Sequence, residues 1–244
     1  MYAVEPVRAE ALHRDPEWGE LRFRPARAED AEACAPLIFA SGVREFGFFL
    51  GETADLCIEF LAFAFASKFG RFSYRRHPVA VTGVDQVAAV LAVHDGRETW
   101  FDDPHVALML LLFFGLPRTV RMLLRGLVLE SELPAPKSSQ TLIAHCATHE
   151  TMRGTGVFSA LFANALHAGA MDGDGGRQIV QDVLVSNTRA YALYRRLGFV
   201  ELPRRGPVSP RLPRELESVR MGFVGRGRGG ETNPIKRIYR SVCE

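Results

Sequence analysis

The stretch from Thr141 to Phe199 limits what this chain can become more than any other. It reads as an apolar strand (LIAHCAT), a turn with two glycines (HETMRGTG), an amphipathic helix (VFSALFANALHAGAM), a second apolar strand (IVQDVLV) and a second helix (NTRAYALYRRLGF). A strand that feeds a glycine-rich turn and then a helix is a physical device for binding phosphate. The glycines let the backbone approach the anion, and the helix start offers unpaired amides and the positive end of its dipole.

The flanking sequence builds a sheet around that stretch. LRFRPA, from Leu21, alternates like an edge strand that Pro25 ends. Glu29 and Asp30 then open a helix through AEACAPLIFAS, which Gly42 closes, and a further helix is expected through ADLCIEFLAFAFASKFG, closed by Gly70. HPVAVTG and QVAAVLAVHDG, separated by a Gly-Val-Asp turn, read as a hairpin. After Phe199, VELPRRGPVSPRLPRE reads as an exposed connector and SVRMGFVG as a last strand.

Between about residues 98 and 140 the pattern changes. VALMLLLFF is uninterrupted and apolar, Leu116-Pro117 breaks it, and RTVRMLLRGLVLE resumes with Arg118, Arg121 and Arg125 at helical spacing. The first run falls short of the roughly 18 residues that a spanning helix needs, so no transmembrane segment is expected. The plain reading is a helix pair buried against the sheet or a dimer partner, with its arginines on the solvated side. The alternatives are an amphipathic lid over an apolar substrate, or a helix that touches a membrane surface through its arginines.

Composition limits the class. At 244 residues, 47% hydrophobic and 24% charged, the chain can bury one sizeable core, and strand-helix alternation through a continuous sheet argues for a single domain over residues 21–224. Residues 1–20 read as an arm and 225–244 as a basic tail. A formal charge of +2 gives no whole-protein steering towards nucleic acid, and no nucleic-acid partner is expected. Cys34, Cys57, Cys146 and Cys243 form no metal-ligand or disulfide pattern, and no apolar signal core precedes the domain. A cytoplasmic protein with reduced thiols and no metal is therefore expected.

Two motifs carry a resemblance to a known family. Arg153-Gly154-Thr155-Gly156 follows a strand, and Asn187, Ala190, Leu193, Tyr194, Gly198 and Phe199 stand at fixed spacing on the second helix frame. Together they resemble the acetyl-CoA loop and the closing signature of the GCN5-related N-acetyltransferase (GNAT) family. The resemblance implies a mixed α/β (α+β) fold: a single domain with a central mixed, twisted sheet of about seven strands flanked by helices, and an extra apolar helical insertion before the fourth strand. It also implies acetyl-CoA as cosubstrate, a small-molecule or peptide amine as acceptor, and transfer by direct attack of the amine. The other class of function considered is a non-catalytic acyl-CoA-binding module on the same fold.

The resemblance assigns residues as follows. The pantetheine arm would slot between LIAHCAT and IVQDVLV, paired to the amides of Cys146, Ala147 and Thr148. Arg153, Gly154, Thr155, Gly156, Val157, Phe158 and Ser159 would hold the pyrophosphate, with Asn187 and Tyr194 also near the cofactor. The sequence departs from the family pattern at Phe158, where a small residue is expected, and the bulky ring has to point away from the phosphates. Tyr194 matches the tyrosine that protonates the leaving thiolate, a plausible donor given a phenol's reference pKa of about 10. Asn187 is also a natural helix cap, and Asp182 tunes the strand's end. His145 is the candidate base, with His149 and Glu150 just beyond the strand and water-mediated proton loss as the default. Simple alternation puts His145 on the face opposite Ala144 and Cys146. No cysteine nucleophile is required, since the neighbours of Cys146 offer no triad.

Overall fold

The structure is a computed structural model that describes residues 21–98, 102–169, 171, 176–204, 206 and 209–225. The arm expected at 1–20 and all but Gly225 of the tail lie outside the described residues. Seven strands form one sheet in the order β1-β2-β3-β4-β5-β7-β6. They are β1 (Arg22–Pro25), β2 (Pro78–Val81), β3 (Val87–Asp95), β4 (Gln140–Thr148), β5 (Gln178–Leu184), β6 (Phe199–Glu201) and β7 (Ser218–Phe223). β4 and β5 run parallel and the other adjacent pairs run antiparallel. The parallel pair is joined by the helix of the central stretch, as a parallel crossover requires.

Helices cover both faces. On one side lie α1 (Ala31–Ser41), α2 (Val43–Leu50), α3 (Ala54–Phe65), α4 (Asp102–Phe114) and α5 (Leu116–Glu130). Their buried side chains, among them Ile38, Leu50, Phe60 and Met122, meet Val79, Val81 and Val90 of the sheet. On the other side α6 (Val157–His167) and α7 (Thr188–Leu197) bury Leu161, Phe162 and Leu197 against Ile143, Ile179 and Met221. Arg24 grips Asp30 with two hydrogen bonds of 2.7 and 2.9 Å, tying the edge strand to the start of α1. That pairing holds the Asp30 carboxyl below the usual carboxylate range.

Several boundaries differ from the sequence reading. The chain forms an additional helix, α2, right after Gly42, and α3 stops at Phe65, short of Gly70. β6, where the end of a helix and the start of an exposed connector are expected, pairs with β7 over three residues. The hairpin between β2 and β3 is present, with Asp85 in the left-handed region at φ 63°.

The helical insertion is spliced into the β3–β4 connection without disturbing the sheet. Gly96 donates its amide to Gln140 O at 3.0 Å, so the chain leaves β3 and returns to β4 at nearly one point. A Cβ on Gly96 would sit 1.8 Å from the Lys137 carbonyl oxygen. The insertion docks through Arg125, whose Nε donates to Phe49 O at 3.0 Å and whose Nη2 donates to Leu50 O. The guanidinium occupies the space over Gly51 (φ 64°), where a Cβ would lie 2.0 Å from Nη1. Arg125 therefore turns inward, contrary to the expectation that all three arginines face solvent, because it supplies donors to the carbonyls at the end of α2.

Gly96→Ala tests the splice. Overpacking of this kind costs about 1–3 kcal/mol, so the variant should show a lower thermal midpoint, read by circular dichroism. An unchanged midpoint would mean that the two ends of the insertion separate freely.

Candidate active site

The parallel pairing of β4 with β5 runs from Gln140↔Gln178 to Ile143↔Gln181 and stops, although both strands continue. β4 stays attached to β3 through Ala147↔Val90 and Thr148↔Ala89. Residues 144–148 thus present to β5 a strand edge that no longer has its neighbour. A cavity of about 620 Å³ lies at this opening, lined by Ala144, His145, Cys146, Asp182, Asn187 and Tyr194 from the sheet and α7. Its other walls are Phe46 and Phe49 of α2, Phe72, His94, and Leu123 and Leu127 of α5.

β4 carries a bulge within this opening. Ala144 faces Ala92 and Ala147 faces Val90, so three steps on β4 oppose two on β3. The extra residue is His145, in the left-handed region at φ 52°, a conformation that bulges impose and that L-residues avoid elsewhere. The bulge breaks the alternation assumed from the sequence. Val93 and Ile143 both face the α6 side, whereas His145 stacks on His77, Phe72 and Phe46 of the α1–α3 side. His145 therefore shares the face of Ala144, contrary to the expected opposition, and remains opposite Cys146, which packs on the α6 side.

Three histidines meet there. His77 Nδ1 lies 2.8 Å from Ser73 O, and a carbonyl only accepts, so Nδ1 carries the proton. In neutral His77, Nε2 is then an acceptor, and it takes a bond from His145 Nδ1 at 3.0 Å. His145 Nε2 is left with its lone pair free. The rings of His77 and His145 lie nearly parallel, 5.3 Å apart. His94, 2% exposed, stands edge-on to His145 at 5.8 Å, and neither of its ring nitrogens has a hydrogen-bond partner. Burial pushes His77 down to about 4 and holds His94 and His145 well below the histidine range. All three are neutral at pH 7.

Tyr194 reaches the opening from α7. It is 5% exposed, stacks edge-on to Phe158 and Phe199, and its hydroxyl lies beside the Cys146 thiol and the Gln181 amide. Burial first, and then Cys146, raise the phenol well above its ordinary value, so it keeps its proton. The same burial pushes the Cys146 thiol up to about 12, which leaves no thiolate for covalent chemistry near neutral pH.

The glycine-rich loop lies before α6, outside the cavity lining. Gly154 and Gly156 adopt φ 84° and 88°, and a Cβ at Gly154 would meet nothing within 4 Å. The first bond inside α6 runs from Ala160 N to Gly156 O, leaving the amides of Val157, Phe158 and Ser159 at the helix start. The Phe158 ring is buried in the core beneath Tyr194 and so points away from the loop. Thr155 Oγ1 donates to Met152 O at 2.7 Å, and exposed Arg153 donates from Nε to Thr148 O at 3.3 Å.

The remaining candidates take structural contacts. Asn187 Oδ1 accepts from Ala190 N at 3.1 Å as the cap of α7. Asp182 forms a two-pronged pair with Arg220, opposite it in register on β7, at 2.8 and 2.7 Å. Burial nevertheless raises its carboxyl. His149 Nδ1 pairs with Thr151 Oγ1, and Glu150 opens a short 3-10 turn; neither lines the cavity. The structure thus brings Tyr194, His145, Cys146 and Asn187 together. It adds His77, His94 and Gln181, which the sequence reading missed because nothing local marks them.

Residues 124–199 match the model of the acetyltransferase (GNAT) family. Among solved structures, an N-acetyltransferase from Staphylococcus aureus Mu50 superposes with a TM-score of 0.61 at 16% identity, covering 83% of this chain and 100% of that one. A second acetyltransferase gives a TM-score of 0.58 at 18% identity, covering 83% and 98%. A protein from Corynebacterium glutamicum, described as histone acetyltransferase HPA2 and related acetyltransferase, gives 0.51 at 17% identity, covering 86% and 99%. No curated protein matches the chain by sequence. The family match is confined to residues 124–199, and the solved structures share the fold of the chain.

The histidine cluster makes stability acid-sensitive. A histidine near pKa 6.5 when unfolded and about 4 when folded costs nothing above pH 6.5. It withdraws stability as pH falls, levelling off near 4, where the folded form also binds the proton. For His77 alone this amounts to about 3 kcal/mol. The thermal midpoint should fall as the pH is lowered from 6.5 towards 4, and His94→Leu should make the fall shallower. A midpoint indifferent to pH across that window would show that the histidines are not neutral and buried together.

Proposed function

We propose that this domain is an acyl-CoA-dependent N-acyltransferase that moves an acetyl group from acetyl-CoA to an amine by direct attack. The observation that carries the reading is one cavity, at the β4–β5 opening, with a neutral imidazole lone pair and a protonated phenol among its lining groups. The donor supplies a thioester, and the chain's residues do the rest. The amides of Cys146, Ala147 and Thr148 lie on the stretch of β4 beyond its β5 pairing, where an extended amide-bearing chain can add like a strand. Arg153 and the amides of Gly154 and of Gly156 to Ser159 face the pyrophosphate, while the Thr155 amide turns to Met152 O, and the open space at Gly154 leaves room for it. Asn187, at the start of α7, flanks the same opening.

His145 Nε2 takes the proton of the attacking amine, and His77 holds the ring in the tautomer that leaves that nitrogen free. As the nitrogen–carbon bond forms and the carbon–sulfur bond breaks, Tyr194 gives its proton to the departing sulfur. Phe46, Phe49, Phe72 and Leu127 give the acceptor side an apolar wall, which suits an amine with an apolar body. A non-catalytic acyl-CoA binder is less favoured, since the Phe158 ring is buried in the core, clear of the loop, and His145 offers a base in the cavity that Tyr194 also lines.

Binding and turnover can be checked separately. CoA and acetyl-CoA should each raise the thermal midpoint, and thiol release with a panel of amines should follow. Tyr194→Phe should lower turnover about 100-fold with acetyl-CoA affinity little changed. His145→Gln should lower turnover similarly, and His77→Phe should move the pH profile because the His145 tautomer is no longer fixed. No midpoint shift with either nucleotide would sink the cofactor reading. Shifts without thiol release would leave the binding module.

A further inference from the structure

The α4–α5 hairpin has a face that none of the described residues covers. Leu116, Val120, Leu124 and Leu127 of α5 recur at helical spacing and are between 48 and 65% exposed, and Leu108 and Leu112 of α4 are 47 and 64% exposed. A stripe of this kind, repeated on two consecutive helices, is unusual for a surface that meets only water. Its charge is equally one-sided. From Pro104 to Leu129 there is no acidic residue, while Arg118, Arg121 and Arg125 are present. Arg125 turns inward to the end of α2, and Arg118, two turns before it on the same side of α5, pairs with Glu52 at 3.8 Å. Arg121 is exposed. Arg211, also exposed, lines a groove with Leu124 and Leu127 from the neighbouring connector. The acids closest along the chain are Asp103 and Glu130, one at either end of the hairpin.

We propose that this face docks on an anionic lipid surface. The leucines enter the boundary between headgroups and acyl chains, and Arg121 and Arg211, which flank the leucine stripe, lie at headgroup level, as in helices that rest in a membrane interface. Helix length agrees, since among the described residues no single helix is long and apolar enough to cross a membrane. A second copy of the chain is disfavoured as occupant, because it would bring two acid-free, arginine-bearing segments together. The surface adjoins the cavity: Leu127, exposed on the stripe, also lines the cavity wall. Docking would therefore place the cavity beside the lipid from which an apolar amine could arrive. The docking proposal itself does not depend on the acyl-transfer reading.

The test is co-sedimentation of the full chain with vesicles of phosphatidylcholine alone and with vesicles containing about one third phosphatidylglycerol. Binding to the anionic vesicles is expected, weakened by salt and by about five-fold for each of Arg121→Gln and Arg211→Gln. Leu112→Glu/Leu124→Glu should abolish it while the thermal midpoint stays unchanged, since both side chains are exposed. Absence of binding to anionic vesicles overturns the proposal. So does binding that the double leucine variant retains, which would place the contact elsewhere, including the basic tail. Light scattering that shows a stable dimer, split by the same double variant, also overturns it in favour of a second copy.

Discussion

Beyond Ile143, β4 loses β5 as a neighbour while β3 continues to hold it. The rest of the site depends on that parting. A parallel pair that stays zipped would leave no edge for an extended ligand and no opening for Tyr194 and His145 to share. β5 is held on its far side instead, by five register pairs with β7 and by the Asp182–Arg220 contact at the point of separation. Arg220 also donates to Pro134 O, so the chain returning from the insertion is tied to the same brace. Asp182 tolerates burial because Arg220 meets both its oxygens, which is the condition under which a buried charge is kept.

The insertion adds to the sheet without altering it. Gly96 and the Lys137–Gln140 turn close its two ends, so 98–140 hangs on the sheet like an expanded hairpin loop. Closing so long a loop costs entropy that grows only slowly with length, and Arg125 fixes the loop against α2 through two backbone carbonyls. The result is that α5 gives the cavity a wall and also carries a leucine face that none of the described residues covers.

What the sequence disclosed follows from how local each feature is. The central stretch was legible because its two strands, glycine turn and helix caps are written in contiguous residues: Gly154 and Gly156 take left-handed conformations, and Asn187 caps α7. The Phe158 ring points inward as its bulk requires. The histidine cluster was not legible in the same way. His77, His94 and His145 are far apart in the chain, and the bulge that turns His145 towards the other two leaves no mark in the alternation of LIAHCAT. Period-two reasoning fails wherever one residue is inserted, and here that residue is the one that matters. Arg125 was misjudged for a related reason. Its spacing matches Arg118 and Arg121, but only the position of α2 beneath it supplies carbonyls to bind.

One environment sets every protonation state in the site. Burial disfavours charge of either sign, so it raises acids and lowers bases together. At the β4–β5 opening it raises Tyr194 and Cys146 and lowers His77, His94 and His145. The outcome is a phenol that keeps its proton, a thiol that keeps its own, and imidazoles that stay free of one. A thiolate nucleophile would need the opposite environment, with a cation beside Cys146 to offset burial. The direct transfer proposed here needs a neutral base and a neutral acid, and burial at this opening keeps His145 and Tyr194 in those forms.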